Sequence, residues 1–243
     1  MLEQITAFLE NLGFTKVDAQ LQYLLNPQNL STAIWETLYA PLLAALFAYV
    51  IGMPLGILLV TGASDGIRPI PKWVMNLINT LINLLRSIPF LILMVLVFPL
   101  SRLILGTAIG TTATIVPLTV AAFPYVARLV ESSLREVDRG VVEAAQSMGC
   151  STVQIITKVM LPECRPSLIG GATNACITIL GYGAMAGAIG GGGLGAIALM
   201  RGYSRNQTLV LYVAVLLLVM MVQILQTIGS KLAVRCDKRI SHK

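Results

Sequence analysis

Hydrophobic positions in this chain gather into long runs free of charge, at 37–60, 103–127, 166–200 and 206–230, with a fifth at 73–101 broken only by Arg86. Each run supplies the ~20 residues that a bilayer-spanning helix needs. Spanning β-strands would alternate apolar and polar positions over ~10-residue segments, whereas these runs are continuous and rich in Leu, Ile, Val and Ala. The pattern predicts an all-α, polytopic membrane helical bundle with five transmembrane helices. One stretch stands apart as the most polar inside this apolar sequence: EAAQSMGCSTVQIITKVMLP, Glu143 to Pro162.

Local signals divide that stretch into two short helices meeting near Gly149. Asp138 is the expected N-cap of the first, whose Val141, Val142, Ala145 and Met148 share one face. Gly149 supplies the stop. Ser151 and Gln154 have capping-box spacing for the second helix, Lys158 lies near its negative end, and Ile155, Ile156, Val159 and Met160 give it an apolar stripe before Pro162. A helix of ~10 residues covers about 15 Å, half the hydrocarbon thickness. Neither spans a membrane. Their apolar faces either dock into a groove on a partner or pack against this protein's own helix ends or lipid headgroups.

Composition places the chain in a bilayer, since 56% of residues are hydrophobic and 12% charged, against roughly 25% charged in soluble domains. Basic residues collect on alternate connections. Arg68 and Lys72 follow the first run, Arg135, Arg139, Lys158 and Arg165 lie between the third and fourth, and Lys231, Arg235, Lys238, Arg239 and Lys243 end the chain. The positive-inside rule then predicts an outside N-terminus, a cytoplasmic C-terminus and a cytoplasmic 131–165 loop. This asymmetry and anionic lipid account for the +6 charge without a nucleic-acid partner. Met1 to Asn29 lacks the basic start and apolar core of a cleaved signal, and Ile5, Phe8, Leu9 and Leu12 have the spacing of an amphipathic surface helix. Cys150, Cys164, Cys176 and Cys236 read as small hydrophobes, and with His242 as the single histidine no metal site or disulfide is expected.

Glu143-Ala144-Ala145, Gly149, Val159 and Leu161-Pro162 carry a resemblance to the EAA loop of ABC importer permeases. That family's pattern is EAA, three residues, Gly, nine residues, Ile, one residue, Leu-Pro, and only the Ile position differs, as Val159. From about residue 31 onward, NLLRSIPFLILMVLVFPLSRLILGTAIG, IVPLTVAAFPYVARLVE and GYGAMAGAIGGGGLG resemble the methionine-type permease in particular. The resemblance implies a prokaryotic cytoplasmic (inner) membrane protein of five spans. It divides the chain into an N-terminal extension, 1–30, a transmembrane domain, 31–235, with a coupling loop at 136–162, and a basic tail, 236–243. It implies an importer in which two copies of this subunit form the pathway for methionine or a related amino acid. An extracytoplasmic binding protein or lipoprotein delivers the ligand, and two cytoplasmic ABC ATPases, carrying ATP and Mg, each accept one loop in a cleft. Glu143 then contributes charge at the docking face, Ala144 and Ala145 permit close approach, and Gly149 provides the bend.

No GxxxxGK[ST] sequence occurs, so this chain is not expected to be an enzyme or to hold a cofactor of its own. The glycines at 190–193 and 195 end a membrane run instead of joining a strand to a helix, which argues against dinucleotide binding. Gly183 and Gly187 form a G-x-x-x-G pair, suited to close helix approach within the chain or across a dimer axis. Asn174 is a candidate for interhelical hydrogen bonding or for the pathway. Arg86 lies within the bilayer if 73–101 is one bent helix, and at the interface if 73–85 runs along the surface. Glu36 and Glu131 read as boundary residues. The rival function, an ion-coupled secondary amino-acid transporter, would place more Asp, Glu or His inside the spans.

Overall fold

The structure, a computed structural model, describes residues 17–237, and among these every regular element is helical. The amphipathic pattern at Ile5 to Leu12 and most of the basic tail lie outside the described residues. A short helix, α1 (Val17–Leu25), precedes the long α2 (Pro27–Thr61). Asn26 caps α2 by accepting from the Gln28 amide at 3.1 Å, and Pro27 occupies the first position, where a missing N–H costs nothing. Its 35 residues extend about 52 Å at 1.5 Å each, so α2 tilts within the bilayer or projects beyond it.

The run at 73–101 forms two helices, α3 (Lys72–Ser87) and α4 (Phe90–Leu105), bent by 110° at Ile88 and Pro89. Proline disfavours helical geometry in the residue before it and cannot donate to the ladder; Ile88 is accordingly extended, at φ −80 and ψ 126. The run at 103–127 is also divided. Gly106 ends α4 at φ 75, and α5 (Ile115–Arg135) begins only after a 3-10 turn at Thr112–Thr114.

Two short helices follow, α6 (Arg139–Ser147) and α7, which starts at Thr152–Gln154, continues as a π-helical turn at Ile155–Met160 and ends at Leu161–Glu163. Helix α8 (Arg165–Ala186) tightens into a 3-10 turn at Gly187–Ile189. The chain then reverses, with Gly190 and Gly193 at φ 99 and 80, into α9 (Gly193–Ala196), prolonged by a π-helical Ile197–Tyr203. The run at 166–200 is thus a helix and a reversed segment. Helix α10 (Thr208–Cys236) completes the described chain.

Four helices are long and apolar enough to cross a membrane, Pro27–Thr61, Thr112–Arg135, Arg165–Ile189 and Thr208–Cys236, and the bent α3–α4 pair makes a fifth if counted as one span. The most extensive packing joins α2 to α5. A Cβ on Gly52 would lie 2.8 Å from the Phe123 carbonyl oxygen, and one on Gly56 2.6 Å from that of Ala127. Around this seam Ala44, Ala48, Leu118, Ala122, Val126 and Val130 form the core, joined by Ala175 and Ile179 of α8. Only 17% of the most apolar window of α10 is buried, so its outer face is left for lipid or another chain.

Helix α1, within the 1–30 segment, docks on the bundle. Gln20 is fully buried, and its Oε1 accepts from the amides of Leu209 at 2.9 Å and Val210 at 3.3 Å, serving two of the unpaired N–H groups that open α10. The Arg201 guanidinium sits 3.9 Å above the Tyr23 ring.

Candidate functional site

The residues of the Glu143 to Pro162 stretch converge at one end of the bundle, on a helical hairpin following α5. Asp138 caps α6 by accepting from the Gly140 amide at 2.6 Å. An ion pair between Asp65 and Arg139 ties the same turn to the α2–α3 connection. A backbone hydrogen bond and then the Arg139 guanidinium hold the Asp65 carboxyl below its ordinary value of 3.8. Gly149 adopts φ 76 with open space around its Cβ position, and its amide and that of Cys150 close the helix end onto the carbonyls of Gln146 and Ala145. Ser151 and Gln154 form the reciprocal capping box at 2.8 and 3.4 Å. The π-helical turn has a direct cause: Pro162 has no N–H for the Lys158 carbonyl, and the ladder loosens until the Leu161 amide bonds Ile156.

Burial divides the expected apolar stripe of α6 and covers that of α7. Ala145, Ile155 and Met160 are buried in this protein's own core, with Val142, Val159 and Leu161 packed beside them. Val141, Met148 and Val153 instead face outward, 47%, 76% and 67% exposed. Glu143 and Ala144 are exposed as well, and Pro162 is half-buried. The expected face of α6 is therefore corrected, since Val141 and Met148 turn outward while Ala145 and Val142 turn inward, whereas the expected stripe of α7 lies wholly against the core and anchors the hairpin. A groove of about 200 Å³ runs beneath α6 between Asp65, Arg139, Glu143 and Met160.

The remaining candidates do not form one site. Gly183 lies against α2, where its Cβ would come 2.7 Å from Pro41, and Gly187 lies against the reversing chain, where its Cβ would come 2.2 Å from the Ala196 amide nitrogen. The close approach permitted by this pair is thus made within the chain. Asn174 is exposed on α8. Arg86 closes α3 beside a cavity at the α3–α4 corner.

Two polar clusters join these elements. Arg128 of α5 donates to Asn79 at 2.9 Å and Asn83 at 3.0 Å on α3, and pairs with Glu131 at 2.6 Å, which also holds Arg135 at 3.0 Å. At the opposite end of the long helices, Glu36 accepts from the Gly193 amide at 2.7 Å and the Thr37 hydroxyl from that of Leu194 at 2.8 Å. Glu36 and Glu131 were readable only as boundary residues because their partners lie on other elements. The three-residue spacing from Arg128 to Glu131 was the one local signal.

The sequence profile described as "Binding-protein-dependent transport system inner membrane component" matches residues 52–242. The probable D-methionine transport system permease protein MetI of Vibrio cholerae is 46% identical over 218 residues, covering 89% of this chain and 96% of that protein. The methionine import system permease protein MetP of Bacillus subtilis is 45% identical over 168 residues, covering 69% of this chain and 76% of that one. Among solved structures, a chain of the MetNI methionine ABC transporter in an inward-facing conformation superposes with a TM-score of 0.84 at 40% identity, over 86% of this chain and 96% of that one. With its transmembrane helices sharing that fold, the chain belongs to the family of inner membrane components of binding-protein-dependent transport systems, as a multi-pass permease subunit.

Proposed function

We propose that this chain is the permease of an ATP-driven importer for methionine or a closely related amino acid. The observation that carries the reading is 46% identity to a D-methionine permease across 89% of the chain, together with an exposed, rigidly capped helical hairpin at one end of the bundle. Two copies line the pathway. Two cytoplasmic ATPases each receive one α6–α7 hairpin, with Met148 and Val153 entering an apolar cleft and Glu143 and Lys158 meeting charges at its rim. ATP and Mg reside on those partners, and a binding protein outside the membrane supplies the ligand. The hairpin and the C-terminus face the cytoplasm, as the positive-inside rule requires. The ion-coupled alternative loses support because Glu36 and Glu131 are both committed to fixed hydrogen bonds or ion pairs.

The test is co-purification with the ATPase encoded beside it, followed by ATP turnover in lipid with the cognate binding protein. A two-plus-two complex whose turnover rises with methionine-loaded binding protein is expected. Absence of any complex would overturn the importer, and a complex indifferent to methionine would overturn the substrate.

A further inference from the structure

The 110° bend between α3 and α4 leaves a cavity of about 240 Å³ in its inner corner. Arg86 and Phe90 line it from the two sides of the bend, Tyr125 from α5 and Tyr182 from α8, with Ile88 and Leu93 completing an apolar wall. Phe90 and Tyr182 stack at 4.5 Å with planes 6° apart, giving the cavity a firm side. Tyr125 stands ten residues from either end of α5, Ile115 and Arg135, or about 15 Å from each. The cavity therefore abuts the middle of α5.

Arg86 makes no ion pair or hydrogen bond among the described residues. The neighbouring arginine of the bundle, Arg128, is by contrast fully engaged with Asn79, Asn83 and Glu131. No carboxylate lines the Arg86 cavity. Arg86 is exposed in the subunit; a guanidinium within a membrane bundle keeps its charge by facing water or an anionic partner, and this one is open to a partner that arrives from outside. Its planar fork matches a carboxylate in two parallel hydrogen bonds. Tyr125 and Tyr182, both lining the cavity, carry hydroxyl oxygens that can accept from an ammonium, and the apolar wall accommodates a short unbranched side chain.

We propose that the corner between α3 and α4 is a substrate site within the membrane, where Arg86 binds the α-carboxylate of a small zwitterionic amino acid. It rests on the importer reading above and adds the residue that recognises the cargo within the bundle. Its volume, below the ~300 Å³ of drug-sized pockets, suits a single amino acid.

The experiment uses the whole transporter, permease with ATPases, in lipid vesicles with the binding protein supplied. The diazirine analogue of methionine is photolysed during turnover and the labelled peptides are identified. Label on peptides containing Arg86, Phe90, Tyr125 or Tyr182, displaced by excess methionine and not by methioninamide, is expected. Arg86→Gln should reduce methionine uptake about tenfold or more, the worth of a charged hydrogen bond, while co-purifying with the ATPases in normal yield. Arg86→Lys should recover part of the uptake, which a purely packing role for the guanidinium would not predict. Wild-type uptake in Arg86→Gln, or label confined to other segments, overturns the site while leaving the importer intact. A wild-type complex that carries no methionine overturns the functional reading beneath it.

Discussion

Glu36 on α2 accepts a hydrogen bond at 2.7 Å from the backbone amide of Gly193, 157 residues further along the chain. The carboxylate and the Thr37 hydroxyl together serve the first two N–H groups of α9, which no intrahelical carbonyl can reach. Glu36→Ala should lower stability by about 1 kcal/mol, the usual worth of such a cap. Glu36→Gln keeps an acceptor and should lose less. Thermal melting of the detergent-solubilised chain checks both, and equal midpoints for wild type and Glu36→Ala would count against the cap.

Gly149 holds φ 76 at the turn between α6 and α7. A side chain in that conformation costs about 1–2 kcal/mol, so Gly149→Ala should weaken recovery of the ATPase with the permease. Gly149→Pro cannot adopt a positive φ and should abolish uptake while the permease still inserts in the membrane. Membrane fractionation and co-purification separate the two effects.

Arg128→Ala leaves Asn79, Asn83 and Glu131 without their shared donor. Glu131 keeps Arg135 and Asn83 is exposed, so the loss falls on part-buried Asn79 and on the contact holding α3 to α5, about 1–2 kcal/mol. Arg128→Lys restores the charge but not the fork that reaches three acceptors, and should recover only part of the loss. Limited proteolysis should cut the α2–α3 connection faster in both variants.

Asp65 titrates below its ordinary value in the folded chain. Its contribution to stability is therefore complete above about pH 4 and is lost as pH falls through the lowered folded value. Hydrogen exchange of the α6 amides should stay constant from pH 8 to about 4 after correction for intrinsic rates, then lose protection in wild type. Asp65→Asn should show no such step.

Cys164 is buried at the start of α8, and desolvation pushes its thiol up to about 11, whereas Cys236 is exposed. Maleimide at pH 7 should modify Cys236 well before Cys164, because the thiolate is the reactive form. Mass spectrometry of the two peptides over time reads the order.

Features governed by neighbours in sequence were legible beforehand. Asp138, Gly149 and the Ser151–Gln154 pair act within a few residues of themselves, and their geometry follows from capping rules that need no tertiary context. Apolar runs were less faithful guides to helix ends. Hydropathy does not register the positive-φ glycines at 106 and 190, where the runs at 103–127 and 166–200 are divided. The contacts of Arg128 with Asn79 and Asn83, and of Gln20 with Leu209, span 49, 45 and 189 residues. No periodicity encodes them. The outward turn of Met148 was equally hidden, since helical spacing groups residues by face without saying which face the rest of the protein covers.

Where Gly52 and Gly56 meet α5, no clearance remains for even a methyl group. Two surfaces in such contact cannot slide without first separating, so α2 and α5 behave as a single beam. The α6–α7 hairpin is joined to the end of that beam by a short, capped connection at Glu136 to Asp138. If the hairpin docks on an ATPase as proposed, a push delivered there turns the two helices together as one rigid body instead of bending the joint between them.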